Sequence, residues 1–62
     1  MITYTLIITY ILLGTPNELV IEGFVDKTSC QIQAVSSSSA LRKQDAKVET
    51  AICHRVILDS RR

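Results

Sequence analysis

The stretch ITYTLIITYILLGTPNELVIEGFV, residues 2–25, decides the fold. In its first half the even positions Ile2, Tyr4, Leu6, Ile8, Tyr10 and Leu12 make an unbroken apolar face. The odd positions mix Thr3, Thr5 and Thr9 with Ile7, Ile11 and Leu13. Side chains alternate across a strand, so this pattern, with its half-apolar second face, predicts a central strand over residues 2–13. Gly14-Thr15-Pro16-Asn17-Glu18 concentrates turn chemistry and predicts a five-residue loop. A second β-branched run follows at 19–25, so the stretch reads as an antiparallel hairpin.

Outward from the hairpin, Thr28-Ser29-Cys30-Gln31 matches a capping box, with Thr28 as the N-cap, and predicts a helix over residues 28–43. Asp26 supplies negative charge near its start, and Arg42 and Lys43 suit its C-terminal end. Cys30, Ala34, Ser37, Ser38 and Leu41 share one helical face, with Ile32 and Val35 to one side. Ser36-Ser37-Ser38-Ser39 weakens helix propensity, because serine hydroxyls compete for backbone hydrogen bonds. The helix is nonetheless expected to continue, with the serines as small residues where helix and sheet approach closely. Residues 48–58 read as a third strand, with Val48, Thr50, Ile52, His54, Val56 and Leu58 on one face and Glu49, Ala51, Cys53, Arg55 and Ile57 on the other. The fold class is α+β: a three-stranded antiparallel-type sheet in ββαβ order with one helix packed on one face. Strand order stays open, since the third strand fits either edge of the hairpin.

At 62 residues the chain is a single small domain, 1–62, whose core alone supplies only about 3–5 kcal/mol. A formal net charge of +1 argues against a dedicated nucleic-acid or polybasic membrane binder. The apolar start carries no early basic residue, since the first is Lys27. Its length of about 12 residues falls short of the roughly 20 that span a bilayer. A cytoplasmic protein is therefore expected, with a periplasmic one as the alternative, and in the cytoplasm Cys30 and Cys53 are expected as reduced thiols.

Several side chains are candidates for function. If the face bearing Ala51 and Cys53 turns toward the helix, Cys30 and Cys53 come within reach of a disulfide, which closes a loop of 22 intervening residues. Cys30, Cys53 and His54 fall one short of a zinc site, and adjacent Cys53 and His54 point to opposite faces. No catalytic constellation, metal set or cofactor motif is read, so the protein is expected to be non-enzymatic. Charge is uneven: residues 1–31 sum to −2 and the rest to +3. Arg42, Lys43, Lys47 and Arg55, joined by Arg61 and Arg62, are expected to form a basic binding patch. One helix covers one sheet face only, so Ile7, Ile11 and Leu13 mark an expected self-association face, and a homodimer is expected.

With its apolar first strand, short turn, Val/Ile-rich second strand, Cys30 opening a helix and Cys53 in a late strand, the chain resembles the small uncharacterised proteins encoded in enterobacterial prophages. The resemblance covers residues 2 to about 56. Tyr10 and Pro16 stand where that group carries further cysteines. The resemblance implies a phage-type accessory protein that binds and inhibits or modulates a host macromolecule, with an anti-CRISPR inhibitor as its sharpest form. The alternatives are a disulfide-stapled structural or periplasmic domain and a small nucleic-acid-binding regulator.

Overall fold

The computed structural model describes residues 1–57. It contains β1 (Ile2–Leu12), β2 (Thr15–Phe24), α1 (Lys27–Lys43) and β3 (Lys47–Ile57), in the expected ββαβ order. The sheet order is β2-β1-β3, and β1 runs antiparallel to both neighbours. Thus β2 and β3 run the same way on either side of β1, joined by the α1 crossover. The most apolar strand takes the middle, where its backbone is paired on both sides.

The hairpin turn is not where the turn-rich segment suggested. Leu12 pairs with Thr15, which leaves only Leu13 and Gly14 as the loop, both at positive φ (52° and 78°). Two left-handed residues match the right-handed twist of the flanking strands. Pro16, Asn17 and Glu18 instead belong to β2, opposite Ile11, Tyr10 and Thr9. Proline is tolerated there because β2 is an edge strand with an outer side needing no donor. Leu13 sits 93% exposed in a conformation that disfavours a branched side chain. Leu13→Asn is expected to raise stability by about 0.5–1 kcal/mol, read as a shifted urea midpoint. An unchanged or lower midpoint would argue that Leu13 carries a contact of its own.

The helix begins one residue earlier than expected, with a different cap. Asp26, not Thr28, is the N-cap: its backbone is extended and its Oδ1 accepts the Ser29 N–H at 2.7 Å. That backbone donor, then the Ser29 side chain, holds the Asp26 carboxyl below its ordinary value. Its stabilising contribution is therefore present at neutral pH and lost as pH falls through that lowered value. The C-terminus closes as a Schellman motif, with Ala46 N–H donating to Leu41 C=O and Asp45 N–H to Arg42 C=O. Asp45 takes the left-handed position (φ 64°), and Ala46 is buried. The serine run stays helical, as expected: Ser37 and Ser38 are half-buried toward the sheet, and Ser37 Oγ accepts from Gln33 Nε2 at 2.9 Å.

Helix and sheet meet over a core of three fully buried side chains, Leu6, Ile8 and Cys30, ringed by Tyr4, Tyr10, Leu19, Ile21, Phe24, Ala34, Leu41, Val48 and Cys53. The even face of β1 is thus the covered one. Two irregularities adjust the sheet. Between Tyr4 and Leu6 the β2 register shifts at Gly23 (φ 93°), a conformation glycine adopts without steric cost. Between Thr9 and Tyr10 the β3 register shifts, pairing Val48 with Tyr10. Val48 therefore joins the helix-side core instead of sharing a face with Ile52, because the bulge inverts the alternation there. Leu58, Arg61 and Arg62 lie outside the described residues.

Candidate functional site

Cys30 and Cys53 are joined as a disulfide with Cα atoms 6.1 Å apart, so neither of these thiols is free. The expectation of reduced thiols is corrected. The geometry follows from the register: Cys53 lies opposite Leu6 on the helix-covered face, directly below the first turn of α1. The bond ties the helix start to the edge strand at the deepest point of the core. His54, next along β3, lies opposite Thr5 on the other face, away from the sulfur pair. Among the described residues no group of three His, Cys, Asp or Glu is placed to hold a metal ion, and no helix is long and apolar enough to cross a membrane.

A groove of about 440 Å³ lies between α1 and β3. Lys27, Gln31, Val35, Ser38 and Arg42 line its helical wall, with Ala34, Ala51 and Cys53 beneath. These wall residues recur every three or four positions, so they form one stripe along the flank of the helix. Fifteen positions at ~1.5 Å each put Lys27 and Arg42 about 22 Å apart, one cation near each end. Among the described residues no acidic side chain lines the groove. Its outer rim is β3, an edge strand with no further neighbour in the sheet among the described residues. Sequence reading missed this site; the signal was there in the spacing of Lys27, Gln31, Val35, Ser38 and Arg42, but only the position of β3 makes that stripe a wall.

Of the expected basic patch, Arg55 lies apart from Arg42, Lys43 and Lys47. Lys47 opens β3 opposite Ile11, whereas Arg55 lies opposite Tyr4 near the other end of the strand. Eight residues at ~3.3 Å separate them by about 26 Å. Their faces differ as well, Arg55 lying on the helix side and Lys47 on the open side. Arg42 and Lys43 stay together at the end of α1, and Arg42 belongs to the groove. Arg42, Lys43 and Lys47 thus gather where α1 ends and β3 begins, and Arg55 stands apart from them.

The second sheet face carries no helix. Across its centre Val20, Ile7 and Ile52 lie side by side, flanked by Pro16 and Ile11 toward the hairpin turn and by Val56 toward the other end. Thr9 and Thr50 share a hydroxyl hydrogen bond on this face. Val20 and Ile52 are exposed at 46% and 54%. Ile7 and Ile11 belong to this face as expected; Leu13 does not, because the turn takes it off the sheet.

The fold and its site define a class: a two-layer ββαβ module, stapled by one disulfide, with a cationic groove beside an edge strand. No family model, characterised protein or solved structure matches the chain.

Proposed function

We propose that this protein is a non-enzymatic binding module that captures an extended, acidic segment of a partner protein in the groove between α1 and β3. The observation that carries the reading is the conjunction of a strand edge with a groove cationic near both ends. An added strand gains main-chain hydrogen bonds from β3, while its alternate side chains enter the groove. Val35, 72% exposed at the middle of the wall, offers the apolar contact. At ~3.3 Å per residue, carboxylates six residues apart lie on one strand face and span about 20 Å, close to the separation of Lys27 and Arg42. The partner we attach to this reading is a host protein, modulated as the prophage resemblance implies.

The disulfide favours a second reading of setting, an oxidising compartment such as the periplasm, over the host cytoplasm. The separation of Arg55 from Arg42, Lys43 and Lys47 weakens the support for a nucleic-acid regulator.

The test is an NMR titration of labelled protein with a seven-residue probe, Glu-Thr-Val-Thr-Val-Thr-Glu, blocked at both termini, in which both glutamates and both valines share one strand face. Shifts confined to β3 amides and the Lys27–Arg42 flank are expected. N-methylation of the probe backbone should abolish them, and Arg42→Glu should weaken binding about tenfold. Shifts on the open sheet face, or binding indifferent to N-methylation, would overturn strand addition.

A further inference from the structure

The groove leaves the opposite face of the sheet unused, and that face is complementary to itself. We infer that two copies of this chain pack their open sheet faces together, related by a two-fold axis parallel to β1.

The argument starts from the strand order. With β1 in the middle, a two-fold axis along the strand direction places β1 over β1 and β2 of each copy over β3 of the other. The levels along the strands are retained. Val20, Ile7 and Ile52 share one level, so Ile7 meets Ile7 and Val20 meets Ile52 twice, giving a continuous apolar centre. Glu22 lines a shallow hollow on the same face with Thr3, Thr5 and Val56, and His54 pairs with Thr5 at that level. Glu22 of each copy therefore falls over His54 of the other. The perpendicular in-plane axis through the Ile7 level sets β2 over β2 and loses this match, bringing Glu18 of one copy over Glu22 of the other. The hydrogen-bonding match of Glu22 with His54, and the like charges that the other axis would oppose, select the axis parallel to β1.

The extent fits. Strands of 11 residues at ~3.3 Å, three abreast at ~4.8 Å, give a face of about 500 Å² in outline. Two such faces come to roughly 1,000 Å², the lower bound for a specific interface. Sheets pack in this aligned way about 10 Å apart, with inner side chains interdigitating. Threonine and branched aliphatic side chains lose few rotamers on burial there.

Sedimentation equilibrium tests the inference. The wild-type chain is expected to be a dimer at micromolar concentration. Ile52→Glu, at an exposed position, should raise the dimer dissociation constant at least 100-fold while circular dichroism and the disulfide stay intact. Glu22→Lys should raise it about tenfold, and Glu22→Lys with His54→Glu should restore it, because each swapped pair again meets its opposite. Arg42→Glu, in the groove, should leave the dimer unchanged, which separates this interface from the peptide site. A wild-type monomer at millimolar concentration overturns the inference, as does a dimer indifferent to Ile52→Glu. Failure of the double swap to restore association overturns the axis.

Discussion

Reduction of the Cys30–Cys53 disulfide should remove up to about half of the stability of this protein. Cross-linking residues 23 positions apart restricts the unfolded chain by about 3 kcal/mol on the chain-entropy account. A domain of this size has only about 3–5 kcal/mol from its core. Among the described residues only Leu6, Ile8 and Cys30 are fully buried, so the bond also involves one of the three innermost side chains there. The loss should lower the melting temperature by roughly 15–25 °C for a chain this short. The measurement is a pair of thermal melts, with and without dithiothreitol, repeated on the Cys30→Ala, Cys53→Ala double variant. The double variant and the reduced wild type should melt within a few degrees of each other. Equal melts for oxidised and reduced wild type would show that the helix and sheet hold together without the staple.

Leu6→Ala should have an effect of the same size by a different route. Leu6 is fully buried at the centre of the sheet, paired with Ile21 on one side and Cys53 on the other. Truncating such a side chain costs about 2–5 kcal/mol in lost transfer energy and cavity formation. Ile8→Ala should behave alike, since Ile8 is buried one pair further along the same face. The contrast lies on the helix, where Ile32 and Val35 are 65% and 72% exposed, so their alanine variants should stay within about 0.5 kcal/mol of wild type. Denaturant titration of the four variants separates the groups. Leu6 and the disulfide share contacts, so Leu6→Ala measured under reducing conditions should not fold at all, a coupling that distant sites do not show. A Leu6→Ala variant as stable as Val35→Ala would mean that the core lies elsewhere.

Leu6 and Ile8 stand out in the sequence because strand alternation is a local geometric rule: every second side chain must share a face. The helix was legible for a related reason. Cys30, Ala34 and Leu41 return to one side at helical spacing, and the sheet beneath outweighs the weak propensity of four serines. Pro16 and Asn17 misled, because turn residues report what a segment tolerates and not where the chain reverses. Pro16 fits an edge strand equally well, and Asn17 spends its side chain on the Thr15 carbonyl at 2.9 Å within β2. Val48 misled through a bulge, which no alternation pattern announces. Arg42, Lys43, Lys47 and Arg55 looked like one patch because they are close in sequence, yet a strand carries its ends some 30 Å apart.

By itself, then, the sequence determined the element types and their order, the apolar face of β1 and the helical side that meets it. These depend on periodicity and capping chemistry within a few residues. Tertiary structure alone decided that β3 joins β1 and not β2. From that pairing come the meeting of Cys30 with Cys53, the groove between α1 and β3, and the open face where Glu22 and His54 share a level. The disulfide and the Glu22–His54 level join residues more than twenty positions apart, and the groove exists only where β3 lies beside the helix. Only the long-range pairing of strands brings these features about.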